Sequence, residues 1–172
     1  GRELIEQLKK DPASLTIAVG TALGNAAHLS FVLAMKSAGV DIRRLRTVIF
    51  NSGSEANTAV LGGHVDVVTT AAGNVAAHVA SGKLRVIGVS ANQRFTGALA
   101  AIPTWKEQGI NSEYASWRGI MGPRGMSAAQ IAGWDDMLAR VVRTDEWRRD
   151  LEQNHLENVY RNSAETARYW KE

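Results

Sequence analysis

Cysteine is absent from this sequence, and proline occurs only three times in 172 residues. Without cysteine, thiol catalysis, disulfide bonds and cysteine-ligated zinc sites are excluded. The apolar stretches are far shorter than the roughly 20 residues that a membrane-spanning helix needs, so we expect no insertion into a membrane. Long basic stripes with interleaved aromatic residues are also missing, because 20 Lys and Arg are interspersed with 17 Asp and Glu. We therefore expect no nucleic-acid partner.

The first half of the chain alternates short apolar runs with helical patterns. We predict strands at 15–20, 46–50, 64–70 and 83–90, and helices at 2–10, 26–38 and 74–80, with a further helix that Ser52 caps and Gly62-Gly63 ends. Strands separated by helices of this length are typical of βαβ units. They predict an α/β fold in which helices flank a mainly parallel sheet.

The pattern changes after Ser90. We predict a short helix at Thr104–Gln108, a crossing strand at Tyr114–Met121, and a helical C-terminal segment with N-caps at Ser127, Thr144 and Ser163. We place a boundary between two lobes around Ala115–Met121. No internal repeat is apparent.

A turn of small residues, "GTALGNA", follows the first predicted strand and opens a helix. It matches neither the P-loop nor the G-x-G-x-x-G fingerprint. It is either a plain tight turn or a seat for an anion, phosphate or carboxylate, formed by free backbone N–H groups. The candidate binding residues are Thr21, Gly24, Asn25 and Ala26. His28 either reaches the anion or hydrogen-bonds a neighbouring loop.

Two further turns, "FNSGSE" and "TTAAGN", follow the second and third predicted strands. The carboxyl ends of parallel strands meet at one edge of a sheet, where α/β proteins bind ligands. We therefore add the residues Asn51, Ser52, Thr69, Thr70 and Ala71 to the candidate site. None of the turns carries a nucleophile beside a general base, and no histidine pair has metal-ligand spacing. The pattern indicates binding without catalysis, cofactor or metal.

Several phrases resemble one family when they are taken in order: "LGGHVDVV", "SGKLRVIGVSANQR", "IPTWKEQG" and "SWRGIMGPRGMS". Their order and spacing are similar to those of the TctC-like, or Bug, periplasmic solute-binding proteins of tripartite tricarboxylate transporters. The resemblance implies a two-lobed Venus-flytrap fold that captures a small mono- or dicarboxylate in the periplasm and delivers it to the transporter's membrane subunits.

The resemblance also implies how much of that fold the chain contains. Residues 1–115 would form the second ligand-binding lobe with a leading helix, and 116–172 the crossing strand and C-terminal helices that pack on a first lobe. We find no counterpart of most of that first lobe, nor of a signal peptide. A lobe without its partner would expose the face that normally meets it, which leaves self-association open.

The family's G-x-G-[ST]-x-x-H turn falls on 22–28, with Ala22 in place of the first glycine and Asn25 in place of the hydroxyl residue. The family's V-P-Y-K-G falls on 48–52, where this chain has V-I-F-N-S. Many members have Phe-Asp where this chain has Thr69-Thr70. A carboxylate at that position favours ligands with an ammonium group, so its absence implies a neutral, hydroxyl-lined wall for an acid.

Two other classes stay open on the residues alone. A Rossmann-like enzyme needs a dinucleotide fingerprint with an acidic residue about 20 positions on; Asp41 has that spacing from Gly20, but the fingerprint is missing. The effector domain of a transcriptional regulator has a related two-lobed fold, and it needs a helix-turn-helix upstream. Neither signal is found in this sequence.

Overall fold

The structure, a computed structural model, describes residues 1–171. The chain divides into two compact units, Gly1–Ser116 (unit 1) and Trp117–Glu172 (unit 2). The roles expected for these parts, a second ligand-binding lobe and a segment that packs on a first lobe, stay predictions.

Unit 1 is an α/β unit in which strands and helices alternate. Its elements in chain order are α1 (Arg2–Lys10), β1 (Thr16–Gly20), α2 (Ala26–Ser37), β2 (Arg46–Phe50), α3 (Gly53–Leu61), β3 (Val67–Thr69) and α4 (Ala76–Ala80). Short 3₁₀ turns lie at Ile42–Arg44, Ala72–Asn74 and Gly97–Leu99. The predicted third strand is therefore shorter than expected, and α4 begins only after a 3₁₀ turn.

The three strands form one parallel sheet in the order β2-β1-β3. Successive side chains of the central strand point to opposite faces of the sheet. Ile17 packs into a cluster with residues of α1 and α2 such as Leu8 and Met35. Ala18 packs with Ala56 and the rest of the α3 face. Helices therefore cover both faces, and the predicted α/β fold with a parallel sheet is confirmed.

The helix ends follow from local chemistry. α1 ends where Asp11-Pro12 begins, because proline cannot continue a helix. α2 ends at Ser37, and Gly39 follows with φ of 87°, a left-handed conformation that favours glycine. α3 begins after Ser52, whose side chain accepts a hydrogen bond from Glu55 N at 3.1 Å.

The predicted strand at 83–90 is wrong. Its residues make only one isolated bridge, between Val89 and Thr104, and they do not pair with β3. The reason lies in where their hydrogen bonds go. Val89 N donates to Pro103 O, Trp105 N donates to Val89 O, and the carbonyl of Ile87 accepts from the Gln108 side chain.

Two shorter predictions in this region are also wrong. Thr104–Gln108 is a single turn and no helix, because Gly109, with φ of 86°, turns the chain away after one turn. Tyr114–Met121 forms no strand, since within the described chain no neighbouring strand lies beside it to complete a ladder. Tyr114 N donates instead to Ser90 O at 2.8 Å.

Unit 2 consists of the helices α5 (Ala128–Val141), α6 (Asp145–Asn154) and α7 (Ser163–Tyr169). Ser127 and Thr144 cap α5 and α6 as predicted. The prediction for α7 is wrong by one residue: Asn162 is the N-cap and forms a capping box with Glu165. Ser163 is the first helical residue, and its N–H and hydroxyl both donate to Asp135. Among the helices described, none is long and apolar enough to cross a membrane.

Candidate ligand site at the strand ends

The turn after β1 is held by one side chain, that of Asn25. Its Oδ1 accepts from His28 N at 2.9 Å and caps α2, while its Nδ2 donates to Gly20 O at 2.5 Å and to Thr21 Oγ1 at 3.0 Å. The first-turn N–H groups of Ala26 and Ala27 have no acceptor within the helix. The turn thus presents backbone donors beside an exposed Thr21 side chain, as an anion seat requires.

Gly20 brings the first turn against the second. A Cβ on Gly20 would lie 2.5 Å from Gly53 N and 2.8 Å from the carbonyl carbon of Ser52. No side chain fits in that space, so the end of β1 and the start of α3 meet backbone to backbone.

The second turn, after β2, is shaped by the side chain of Glu55. Glu55 Oε2 accepts from Asn51 N at 2.9 Å, so that N–H is not available to a ligand. The side chain of Ser52 is likewise used as the cap of α3. The second turn therefore places a carboxylate close to the candidate site, and its free donors are the first N–H groups of α3.

The third turn separates two threonines that the sequence places together. Thr69 is buried, and its hydroxyl donates to Ala27 O at 2.5 Å, which fastens β3 to α2. Thr70 points the other way, next to α3. A Cβ on Gly53 would lie 3.5 Å from Thr70 Oγ1 and 3.2 Å from Asn74 Nδ2.

These contacts bring Thr21, Asn25, Ser52 and Thr70 to one edge of the sheet, and they leave the Thr69 hydroxyl outside the group. Gly24 and Ala26 belong to the first turn, and exposed Ala71 follows Thr70 in the third. At this edge the helix after β1, α2, and the helix after β2, α3, leave towards opposite faces of the sheet, and open α/β sheets bind ligands outside the carboxyl ends of such strands.

Two further asparagines lie near this edge, outside the set of residues that the sequence patterns predict. Asn74 donates through Nδ2 to Thr70 Oγ1 at 3.1 Å, and buried Asn57 on α3 donates to Asn74 O at 3.1 Å. A short repeat marks Asn74, which corrects the expectation of no internal repeat: T-A-x-G-N occurs at 21–25 and again at 70–74, each time directly after a strand. For Asn57 the sequence holds no comparable signal.

His28 contacts the loop that precedes its helix. Its Nδ1 accepts from Gly24 N at 3.0 Å. Burial lowers the pKa of His28 below its usual range, and an Nδ1 that accepts a hydrogen bond must be unprotonated. His28 therefore supports the shape of the turn and, as a neutral ring, contributes no charge to an anion.

Elsewhere, unit 2 has an open depression of about 500 Å³ whose lining includes Asp135, Asp136 and Arg143. Its carboxylates already have partners, since Asp135 binds Ser163 and Asp136 pairs with Arg140. This depression is built from the contacts that join α5 to α7. In the part of the chain that the structure describes, no group of three or more metal-ligating side chains is placed to hold a metal ion.

A family model described as "Tripartite tricarboxylate transporter family receptor" matches residues 2–172. The chain belongs to this family. The description is that of a receptor and names no reaction, and the resemblance found in the sequence motifs is thereby confirmed.

Two curated relatives come from bacteria. The "UPF0065 protein in gbd 5'region" of Cupriavidus necator is 30% identical over 170 residues, which are 98% of this chain and 50% of that protein. A second UPF0065 protein, from Bordetella bronchiseptica, is 31% identical over 99 residues, which are 58% of this chain and 28% of that protein. The chain thus spans at most about half the length of these relatives.

Two solved structures share the fold. A TctC solute-binding protein from Polaromonas, without ligand, superposes with a TM-score of 0.73 at 22% identity, over 98% of this chain and 56% of that one. An R. palustris protein solved with adipate also gives 0.73, at 23% identity over 99% of this chain and 58% of that one. At these identities the likeness establishes the fold of this TctC chain.

Proposed function

We propose that this TctC chain is part of a solute-binding protein that captures a small organic acid, a mono- or dicarboxylate. The observation that carries the proposal is the meeting of three strand-to-helix turns at one sheet edge, joined by the backbone contact of Gly20 with Gly53. Membership of a receptor family supports it. So does the R. palustris fold neighbour, which was solved with adipate.

The mechanism we propose is capture without chemistry. Backbone N–H groups at the helix starts and the hydroxyls of Thr21 and Thr70 replace the water shell of a carboxylate. The ligand then contacts this wall and a second lobe, and closure of the two lobes excludes the remaining water. Because closure depends on the ligand's contact with both lobes, it couples binding to a change of shape that a transporter can detect.

The residues of the third turn favour a ligand that is an acid without an ammonium group. Thr70 supplies a hydroxyl at the position where many family members have a carboxylate, so a cationic group lacks a partner there. Glu55 lies at the second turn, but it is exposed and already accepts from Asn51 N. We therefore expect succinate or malate to bind more tightly than aspartate or glutamate.

The setting of this function also belongs to the proposal. We infer a periplasmic protein that delivers its ligand to the membrane subunits of a tripartite transporter, as the family description suggests. Self-association through exposed apolar side chains of unit 2, such as Ile120 and Met121, is a second proposal. Sedimentation velocity tests it: a concentration-dependent rise in mass is expected, and a monomer at all concentrations contradicts it.

Thermal unfolding against a ligand panel tests the function. The full-length protein is heated with mono-, di- and tricarboxylates, adipate, amino acids and NAD. A ligand that binds only the native state raises the midpoint by mass action, and the shift grows with ligand concentration. We expect shifts confined to certain carboxylates. No shift with any acid, or a shift with NAD alone, would contradict the proposal.

A further inference from the structure

The two copies of T-A-x-G-N hold their threonines in the same way. Thr21 and Thr70 each come directly after the last residue of a strand, Gly20 of β1 and Thr69 of β3. The strands are parallel neighbours with Val19 opposite Thr69, so both threonines lie at the same edge of the sheet. In each copy the asparagine four residues later donates its Nδ2 to the threonine Oγ1, at 3.0 Å and 3.1 Å.

The direction of these hydrogen bonds determines what the hydroxyls can do. Asn25 cannot be turned round, because its Oδ1 accepts from a backbone N–H and its Nδ2 also donates to a backbone carbonyl. An NH₂ group only donates, so Thr21 Oγ1 is the acceptor and keeps its own proton free. Asn74 donates to Thr70 in the same direction.

Two other threonines of unit 1 use their protons inside the protein. Thr69 donates to Ala27 O, and Thr58 donates to Ser54 O at 3.0 Å. By contrast, no acceptor for the proton of Thr21 or Thr70 is found among the residues that the structure describes. These two hydroxyls are donors that face the candidate site.

A backbone feature also singles out Thr21. Its φ is 70°, a conformation that is strongly unfavourable for a β-branched side chain. Glycine or asparagine would adopt it more easily, and the chain has a threonine. Strain of this kind gathers at binding sites, where the surrounding structure maintains it.

Asn57, on α3, holds the third turn through a hydrogen bond to its backbone. It is only 4% exposed, and its Nδ2 donates to the carbonyl of Asn74, the residue that holds Thr70. Its Oδ1 has no protein partner among the described residues, although it is fully buried. A buried amide with an unmatched acceptor costs stability, which is consistent with a position kept for the geometry of the turn.

We propose that the Thr21 and Thr70 hydroxyls are the specificity-determining donors of this site, and that Asn25 and Asn74 are positioning residues that keep them as donors. The site then selects groups that accept hydrogen bonds, such as a carboxylate, over an ammonium group, which only donates and would leave the two protons unmatched. This inference rests on the proposed function, since it assigns the polarity of that same site.

A double-mutant cycle at the third turn tests the inference, because Asn74 caps no helix whereas Asn25 caps α2. The full-length protein is titrated calorimetrically with the carboxylate that gives the largest thermal shift, adipate being the first probe. We expect Thr70→Val to weaken binding about 10- to 100-fold, the cost of a lost hydrogen bond to a charged group. We expect Asn74→Ala to weaken it about three- to tenfold.

The coupling is the decisive readout. If Asn74 acts through the Thr70 hydroxyl, the double variant binds no more weakly than Thr70→Val alone. Thr70→Ser, which restores the hydroxyl, recovers most of the affinity that Thr70→Val loses. Independent losses that multiply in the double variant overturn the inference, as does an unchanged affinity in Thr70→Val.

Thr58→Val is the matched control, since its hydroxyl is bonded within α3, away from the turn. It should bind within about twofold of the parent. Unfolding without ligand shows whether each variant folds, and Thr70→Ala, which also lacks the hydroxyl, replaces Thr70→Val if the latter does not fold. If the parent binds no carboxylate of the panel, the proposed function fails and this inference fails with it. If the parent binds and the cycle shows no coupling, only this inference fails.

Discussion

At the scale of single residues, His28 makes the shape of the first turn dependent on pH. Its Nδ1 accepts from Gly24 N, and burial lowers its pKa. A histidine whose folded pKa lies below its unfolded pKa stabilises the fold above the unfolded value of about 6.5. That stability is lost as pH falls towards the folded pKa, because the unfolded chain takes up the proton first.

We therefore predict that unit 1 loses stability as pH falls below about 6.5. His28→Asn offers an uncharged acceptor close to the position of Nδ1, and it should lose less stability over the same range. Urea denaturation of both proteins at several pH values measures the difference. Parallel pH profiles would mean that protonation of His28 does not act on the fold.

At the same scale, the sequence pattern predicted some residues of the candidate site and could not predict others. The pattern identified Thr21, Asn25 and Thr70 as candidates because small polar residues follow strands. It could not separate Thr69 from Thr70, since adjacent strand residues point to opposite faces and only the packing of α2 against β3 determines which hydroxyl is bonded. No local pattern distinguishes Asn57 from any other polar residue on a helix, because its partner Asn74 lies 17 positions further along the chain.

At the scale of elements, the contact between β1 and α3 holds the turns together. Gly20 is required there for space, since a Cβ would meet the backbone of Gly53 at 2.5 Å. Gly24 in the same turn is required for conformation, since its φ is 83° and a Cβ there would meet nothing within 4 Å. The same substitution at the two positions therefore separates a steric effect from a conformational one.

We predict that Gly20→Ala destabilises the protein by about 3 kcal/mol, the upper part of the usual range for overpacking, because backbone cannot move aside as a side chain can. Gly24→Ala should cost about 1 kcal/mol, the cost of a left-handed conformation for an L residue. Denaturant midpoints of the two variants and the parent measure both. An alanine at position 20 that costs no more than one at position 24 would show that β1 and α3 do not meet as closely as described.

The elements themselves were predicted with uneven success, for a physical reason. α1, α2, β2 and α3 agree with the sequence because their caps, periodicity and terminating residues lie within a few positions of one another. The stretch 83–90 has the composition of a strand, but a strand also needs a neighbour. Its bonds go to Pro103, Trp105 and Gln108, which no local pattern could indicate.

At the scale of the whole molecule, the two units differ in the number of side chains that they bury. Unit 1 has two clusters of buried side chains, one on each face of the sheet. No residue of 117–171 is buried, although its helices are well capped. Amides protected by little buried apolar surface exchange through local openings of low free energy.

We predict that, in a chain of these 172 residues, the amides of α5–α7 exchange with deuterium well before those of Ile17–Val19 in β1. Hydrogen exchange followed by mass spectrometry measures both sets in one experiment, with the unfolded chain as the reference for complete exchange. Equal protection of α5–α7 and β1 would contradict it.

The sequence by itself determined the α/β class, the parallel direction of the strands and the family. These depend on periodicity, on helix caps and on an ordered set of motifs along the chain. Only the tertiary structure decided which hydroxyls reach the strand-end edge and in which direction their hydrogen bonds run. Those properties depend on side chains distant in sequence, such as Ala27 with Thr69 and Asn57 with Asn74, which meet only when the sheet and its helices pack.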